Sequence, residues 1–360
     1  MPTHPEIFVF ILAGGSGERF WPLSRRARPK QLLRLFSAQT LLGEALERVK
    51  PLTVADRLFV LTNHQQRAAT VSALPDLPAA QIIAEPAKRD TAPAAALATA
   101  IAHARNPRAV VVLLPADHLI KNRAALQKNL RDACRLAADS DALVTIAIPP
   151  AYPATGFGYL QLGAPVTAGA RGRGTRFRHV EQFVEKPQLA TAEQYVADGR
   201  HAWNAGMFVW SAAAFTREAA RSAPALAEFV KNYPADRDRA AAYVAEKFPA
   251  LPKISVDYAI MEQAANVVAA QSEFDWDDVG SWSAWAARHP ADARGNIVSG
   301  QAVLHDADNN IIVSDSGRAI ALCGVSDLVV VETADCVLVC QRSREQELKK
   351  LLAQAPESLL

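Results

Sequence analysis

Short, continuous apolar runs alternate with amphipathic helical patterns along roughly the first 290 residues of the chain. The runs at residues 7–12, 58–61, 109–114 and 143–148 predict strands that are buried on both faces. Helices are predicted between them, at 40–49, 64–73, 92–105 and 123–138. This alternation is typical of an α/β domain with a mainly parallel sheet. Such sheets bind ligands at the carboxyl ends of their strands.

The pattern changes after about residue 292. Short strands are predicted at 302–304, 310–313, 318–322, 328–331 and 337–340, separated by Asp-, Asn- and Gly-rich turns. A final helix is predicted through Leu352. The chain of 360 residues is therefore expected to form two unequal domains, an α/β domain over 1–290 and a β-rich domain with a terminal helix over 291–360.

Charge and cysteine content exclude several classes of protein. Lys and Arg number 39 against 37 Asp and Glu, which gives no reason to expect a nucleic-acid or membrane partner. No apolar run approaches the ~18–20 residues of a membrane span, and residues 7–13 lead into glycines rather than a signal-peptide cleavage site. The four cysteines form no paired framework. These features predict a cytoplasmic protein.

A glycine loop follows the first predicted strand. Gly14, Gly15 and Gly17 would let backbone N–H groups close around phosphate oxygens. A dinucleotide fingerprint would need glycine where Phe20 stands, which argues against a nicotinamide oxidoreductase. The Gly-Lys-Ser/Thr ending of a Walker A loop is also absent.

A dense run of cations follows the glycines. Five fall within 12 residues: Arg19, Arg25, Arg26, Arg28 and Lys30. A triphosphate carries roughly four negative charges, so fixed cations beside a backbone cradle suit it. The alternative is a solvated basic helix, but two prolines within the run disfavour a regular helix.

Two acidic positions are candidates for a metal site. Asp117 follows the third apolar run and is expected at a strand tip above the ligand crevice, although a turn or cap residue would look the same. Asp277 and Asp278 lie between two tryptophans without a local cation, and such carboxylates beside phosphates are natural Mg²⁺ ligands. His118 is predicted to be structural, because Mg²⁺ prefers oxygen.

Glu85 is a candidate for reading a base. Guanine presents N1–H and its 2-amino group as adjacent donors, and one carboxylate accepts both. Adenine and the pyrimidines lack that pair of donors. The alternative is a glutamate in solvent at the end of a strand.

Residues 14–31, GGSGERFWPLSRRARPKQ, resemble the signature of the sugar-1-phosphate nucleotidylyltransferases, specifically the mannose-1-phosphate guanylyltransferases. Six further segments match that family in order: EPAKRDTAP at 85–93, PADH at 115–118, GFGY at 156–159, FVEKP at 183–187, WNAGMF at 203–208 and DWDDVGSW at 275–282. Seven ordered motifs, spread over essentially the whole chain, are far more specific than one glycine loop.

The resemblance implies a Rossmann-like nucleotidyltransferase domain with a mainly parallel mixed sheet, plus a small C-terminal all-β domain that is β-helix-like. It implies transfer of GMP from GTP to mannose 1-phosphate, giving GDP-mannose and pyrophosphate, with Mg²⁺ as cofactor. A homodimer is expected by analogy. Some family members carry a fused isomerase domain, for which 360 residues leave no room, so no isomerase activity is expected.

The resemblance also implies roles for individual residues. The catalytic residues would be Arg19 and Lys30, which stabilise the departing pyrophosphate, and Lys186, which holds the attacking phosphate. The nucleotide-binding residues would be Ala13, Gly14, Gly15, Ser16, Gly17, Glu18, Glu85, Pro86 and Asp117. The sugar phosphate would meet Gly158, Glu185, Lys186 and Asn204. The metal ligands would be Asp117 and Asp278.

Two other functions remain open at this point. The same chemistry on glucose 1-phosphate with UTP or dTTP is one, because mannose and glucose differ only at the 2-hydroxyl. A non-catalytic, nucleotide-binding regulatory subunit is the other. Such a subunit would be expected to lose a metal carboxylate or a phosphate cation, and both kinds of residue are present here.

Overall fold

A nine-stranded sheet forms the larger part of the chain in a computed structural model that describes residues 5–15, 17–166 and 174–360. Its strands are β1 (Ile7–Leu12), β2 (Leu58–Asn63), β3 (Ile82–Glu85), β4 (Val110–Pro115), β5 (Leu143–Ile148), β6 (Tyr159–Pro165), β7 (Phe177–Val184), β8 (His201–Ser211) and β9 (Val267–Gln271). They are ordered β3-β2-β1-β4-β8-β5-β9-β7-β6 across the sheet.

The sheet is mixed and mainly parallel, as expected. Strands β1 to β4 run parallel to one another, and β5 runs parallel to β9. The long strand β8 enters between β4 and β5 and is antiparallel to both. The hairpin of β6 and β7 begins level with the carboxyl end of β5, because Trp203 pairs with both Tyr159 and Ile148. This hairpin therefore stands over the edge at which the parallel strands end.

Helices cover both faces of the sheet. In this domain they are α1 (Leu41–Val49), α2 (His64–Ala73), α3 (Thr91–Arg105), α4 (Arg123–Asp139), α5 (Leu189–Ala197), α6 (Ala212–Ser222), α7 (Pro224–Lys231), α8 (Arg237–Lys247) and α9 (Trp282–Ala286). Alternate residues of β1 belong to opposite cores, with Phe8 and Phe10 packed under α3, and Val9 and Ile11 packed with α1 and α4. The predicted α/β architecture is confirmed.

The C-terminal part is a small coil of strands that pair in parallel, except for the last strand, which is antiparallel to its neighbour. They are β10 (Ile297–Ser299), β11 (Ala302–His305), β12 (Ile311–Ser314), β13 (Ile320–Cys323), β14 (Leu328–Glu332) and β15 (Val337–Gln341). Strands β10, β12 and β14 stack in parallel on one side, and β11 pairs with β13 on the other. The buried Asn310 amide donates to the side-chain oxygen of Asn296 one coil away at 3.0 Å. The β-helix-like expectation is confirmed.

The terminal helix α10 (Leu348–Leu352) follows a 3-10 segment at Arg342–Glu347. Leu348 and Leu352 enter a core shared with Phe20 and Trp282 of the larger domain. In the described ranges, no helix is long and apolar enough to cross a bilayer.

Candidate active site

Most of the predicted site residues lie just beyond the ends of the parallel strands, along one side of the sheet. The glycine loop follows β1, Asn63 and Glu85 end β2 and β3, and Asp117 comes two residues after β4. Because these four strands are parallel, their carboxyl ends meet at the same edge. Asp117 lies at the β4 tip, between the loop after β1 and the start of β8.

The glycine loop is held by side chains that bind its carbonyl groups. Gln31 donates to the carbonyl of Ala13 at 2.7 Å and to that of Gly15 at 3.2 Å. Asn63 donates to the Gly14 carbonyl at 3.3 Å. Among the residues the structure describes, the N–H groups of Gly14 and Gly15 have no such partner. The loop is therefore fixed through its acceptors and keeps its donors available for an anion. Ser16, also predicted here, lies outside the described residues.

Gly17 allows the loop to touch Lys30. Its φ is +63°, and a Cβ there would lie 2.4 Å from the backbone nitrogen of Lys30. A side chain at this position would be strained and would push Lys30 away. The Ser24 hydroxyl donates to the Gly17 carbonyl at 2.8 Å and fixes the turn.

Lys30 links the two residues that were predicted as metal ligands. Its ammonium donates to Asp117 Oδ2 at 2.9 Å and also to the backbone carbonyl of Asp278. Lys30 is 6% exposed, so this cation is held in a poorly solvated place. The segments that carry Asp117 and Asp278 also contact each other directly, because Leu119 and Asp277 exchange two backbone hydrogen bonds at 2.9 and 3.1 Å.

The surroundings of Asp117 and Asp278 shift the pKa values of these two carboxyl groups in opposite directions. Burial raises the pKa of the Asp117 carboxyl, but the charge of Lys30 and its hydrogen bond outweigh this effect, so the pKa lies below its usual value. Burial raises the pKa of Asp278, and the neighbouring Asp277 and Asp117 carboxylates add to the rise against the effect of Lys30. The Asp117 carboxylate is thus close enough to oppose the ionisation of Asp278.

This donor set fits a magnesium ion that is shared with phosphates. Mg²⁺ usually takes one or two protein carboxylates and fills its other positions with water and phosphate oxygens. Within the described ranges, no group of three or more His, Cys, Asp and Glu side chains is placed to hold a metal. Asp117 and Asp278 would therefore be sufficient only together with a phosphorylated ligand.

Asp277 and His118 are structural. Asp277 was expected to lack a cation, but Arg288, eleven residues further on, donates two hydrogen bonds to it at 2.9 and 2.6 Å. Burial lowers the pKa of His118 to about 4, so the ring is neutral near pH 7. Its Nδ1 accepts a hydrogen bond from the Trp276 indole at 3.1 Å. His118 is therefore not free to act as an acid or base.

A cleft of about 680 Å³ lies beside the glycine loop. Gly14, Glu18, Glu85 and Pro86 line it, so four of the predicted nucleotide-binding residues face one space of ligand size. Burial raises the pKa of Glu85 to about 8. Glu85 is half-buried in the wall of this cleft, and its role in reading a base stays a prediction. Arg19 is exposed at the other side of the loop, with its guanidinium 3.4 Å from the Gly280 carbonyl.

The predicted sugar-phosphate residues form a second polar group, across β8 from Asp117. Lys186 pairs with Glu185 at 2.6 Å. A Cβ on Gly158 would lie 2.5 Å from Glu185 Oε2, so only glycine lets the Glu185 carboxylate lie against the backbone there. The Gly158 carbonyl accepts from the Asn204 N–H at 2.8 Å and fixes the start of the hairpin.

Asp257 belongs to this group, although the sequence did not single it out. It opens a π-helical turn, Asp257–Met261, a feature that often marks functional sites. Burial, with the charge of Glu185, raises its pKa to about 7. Asn204 donates to Asp257 at 2.9 Å and accepts from Thr145 at 2.7 Å. Asn204 therefore orients Asp257, and its contact with a sugar stays a prediction. The sequence did contain a signal for Asp257, because it is a lone acidic residue among the apolar residues of 256–261.

Three of the five signature cations are paired with carboxylates. Arg25 pairs with Asp335 at 2.9 Å, Arg26 pairs with Glu357, and Arg28 lies 3.9 Å from Asp315. All three carboxylates belong to the C-terminal domain. Arg19 and Lys30 lie by the metal carboxylates, whereas Arg25 and Arg26 line the cleft, and neutralisation of a triphosphate by the whole run stays a prediction.

Apolar packing drives this docking of the two domains. Exposed ion pairs contribute about 0–1 kcal/mol each, whereas a fully buried large apolar side chain contributes about 1.5–3 kcal/mol. Phe20, Trp21 and Trp282 are buried in the core that the domains share. The Trp21 indole also donates to the carbonyl of Leu359 at 2.8 Å. The arginine ion pairs thus add little to a contact that the apolar core stabilises.

Known protein families match both parts of the chain. The family described as "Nucleotidyl transferase" matches residues 9–295. The family described as "MannoseP isomerase/GMP-like beta-helix domain" matches residues 300–354. The resemblance inferred from the seven motifs is confirmed.

Individual relatives agree with this assignment. A mannose-1-phosphate guanylyltransferase of Escherichia coli is 40% identical over 348 residues, which cover 94% of this chain and 72% of that protein. One of Klebsiella pneumoniae is 39% identical over the same shares. A crystal structure from Thermus thermophilus, described as a mannose-1-phosphate geranyltransferase, has a TM-score of 0.83 at 33% identity and covers 97% of this chain and 99% of its own. The chain therefore belongs to the nucleotidyl transferase family, in the group that contains these mannose-1-phosphate guanylyltransferases.

Proposed function

We propose that this protein transfers GMP from GTP to α-D-mannose 1-phosphate, giving GDP-mannose and pyrophosphate. The observation that carries the proposal is the placement of Lys30, Asp117 and Asp278. They lie between the cleft that contains Glu85 and the polar group around Lys186. A nucleotide in the cleft and a sugar phosphate at the polar group would present their phosphates to the same three side chains.

The chemistry requires positioning and charge neutralisation more than proton transfer. A phosphate oxygen of the sugar phosphate attacks the α-phosphorus of GTP, and the bond to the β-phosphate oxygen breaks. That oxygen is already ionised at pH 7, so no general base is needed. Lys186 would hold the attacking phosphate in line, and the N–H groups of Gly14 and Gly15 would bind the nucleotide phosphates.

Asp117 and Asp278 would hold the Mg²⁺ ion. When bound, the ion supplies positive charge that offsets the repulsion between the two anionic substrates. Lys30 and Arg19 would stabilise the negative charge that grows on pyrophosphate as it leaves. Because Lys30 is already held in place by Asp117, little reorganisation would be needed during the reaction.

A substrate panel tests the proposal. Pyrophosphate release should be measured with Mg²⁺ and each combination of GTP, ATP, UTP and dTTP with mannose 1-phosphate and glucose 1-phosphate. GTP with mannose 1-phosphate should give the highest kcat/KM. A preference for UTP or dTTP with glucose 1-phosphate would assign a different nucleotidylyltransferase, and no release from any pair would indicate a regulatory subunit.

Replacing Glu85 by glutamine should lower kcat/KM for GTP by about 10- to 100-fold and reduce the preference for GTP over ATP and UTP. The glutamine NH₂ would oppose one of the two guanine donors that the carboxylate accepts. Glu47→Gln, on a half-buried glutamate near the end of α1, makes the same chemical change away from the cleft and should leave selectivity unaltered. Unaltered selectivity in the Glu85 variant would mean that the backbone reads the base.

The pH dependence follows from the same residue. Because the pKa of Glu85 is about 8 in the free protein, most of its carboxyl is protonated at pH 6 to 7. If the ionised form binds guanine, KM for GTP should fall by up to about tenfold per pH unit on the way to pH 8 and then level off. Glu85→Gln should lack this change. A KM that rises with pH would show that the protonated carboxyl is the binding form.

Two further expectations are part of this proposal. A cytosolic location is supported by four free thiols, which oxidising compartments tend to convert to disulfides, and by the use of GTP. The homodimer stays a prediction.

A further inference from the structure

Both domains line the nucleotide cleft. Gly14, Glu85 and Pro86 form the wall that belongs to the larger domain. Lys349 and Leu352 of α10 line the same cleft, with Leu360 nearby. The C-terminal domain therefore forms part of the wall of this site.

The wall made by α10 is held firmly. Leu348 and Leu352 are 4% and 8% exposed and anchor the helix in the shared core. The helix packs on the 3-10 turn Glu18–Phe20, which follows the glycine loop directly. Lys349, which follows the buried Leu348, is exposed and lines the cleft.

Lys349 differs in charge environment from the other cations near it. Arg25 and Arg26 line the cleft, but each is paired with a carboxylate of the C-terminal domain. In the part of the chain that the structure describes, no carboxylate lies within 4.0 Å of Lys349 or of Lys88, the other cleft lysine. Lys88 comes three residues after Glu85, on the side expected to hold the base. Lys349 is therefore an uncompensated cation in the wall of the cleft, on a helix that packs against the turn after the glycine loop.

We propose that Lys349 binds the phosphates of the nucleotide, so that the GTP site is completed by the C-terminal domain. This inference rests on the proposed function, because it takes GTP as the ligand. An uncompensated ammonium beside the glycine loop attracts a polyanion, whereas the paired arginines have their charge already offset. Neutral parts of the nucleotide would gain nothing from Lys349.

Lys350 provides a matched control. It is the neighbouring residue on α10, is exposed, does not line the cleft and lies 3.6 Å from Glu347. The dissociation constants of GTP and of uncharged guanosine should be measured by calorimetry for the wild type, Lys349→Ala, Lys349→Arg and Lys350→Ala. Thermal unfolding should be recorded for each variant.

Lys349→Ala should weaken GTP binding by about 5- to 10-fold and leave guanosine binding unchanged. Lys349→Arg should retain most of the affinity, Lys350→Ala should match the wild type, and the loss in Lys349→Ala should shrink in 0.5 M salt. Unchanged GTP binding in Lys349→Ala, or an equal loss for guanosine, would overturn this inference alone. A wild type that binds no GTP would overturn the proposed function as well.

Discussion

Replacing Lys30 by methionine should lower kcat for pyrophosphate release by about 10²- to 10³-fold and change KM for GTP by less than about threefold. Negative charge on the leaving pyrophosphate is larger in the transition state than in bound GTP. A fixed cation therefore stabilises the transition state more than it stabilises the complex. Lys30 is suited to this because it is buried and its position is set before substrate arrives.

Steady-state rates at saturating mannose 1-phosphate separate the two constants. Lys50→Met removes an exposed lysine just after α1 and should leave both constants unchanged. Lys30→Arg keeps the charge and should recover part of the rate, which distinguishes lost charge from a disturbed fold. A rise in KM at unchanged kcat would show that Lys30 contributes only to binding GTP.

Asp278→Asn should also reduce kcat by about 10²- to 10³-fold, since the charge stabilisation that a metal supplies is worth several kcal/mol and each 1.36 kcal/mol is tenfold in rate. The variant should in addition need more Mg²⁺ for half-maximal activity. Asparagine keeps the shape of the side chain but loses the charge that attracts the ion. The Asp278 backbone carbonyl, which binds Lys30, is untouched by this change.

A Mg²⁺ titration of pyrophosphate release provides the measurement. Asp76→Asn removes an exposed carboxylate elsewhere and should reproduce the wild-type titration curve. Wild-type activity and an unshifted Mg²⁺ requirement in Asp278→Asn would remove Asp278 from the set of metal ligands. Asp117 would then need a different partner.

Local patterns predicted the part of the fold that local interactions determine. The runs at β1 and β5 have the expected bounds, because a strand buried on both faces must be apolar throughout. The glycine loop and Asp117 were placed correctly at the strand ends for the same reason. Helix α3 begins at Thr91, one residue before the predicted start, with the Asp90 side chain accepting from its first N–H.

Long-range pairing accounts for what the sequence did not predict. The cation run looked uncompensated because its carboxylate partners are more than 300 residues away for Arg25 and Arg26. Asp277 looked free because Arg288 lies eleven residues further on, beyond helix α9. The strand β8 breaks the parallel order by entering between β4 and β5, and no local signal specifies a strand's neighbours.

The hydrogen bond between Trp21 and Leu359 has a consequence for how the protein is made. The two residues are separated by 338 positions, so the signature segment leaves the ribosome long before its partner is synthesised. The larger domain begins to fold first, as N-terminal domains generally do during translation. Its nucleotide loop, however, must wait for the C-terminal domain before its last contacts can form. The contact between Trp21 and the C-terminal domain therefore forms late in biosynthesis, after the residues of the signature segment have been made.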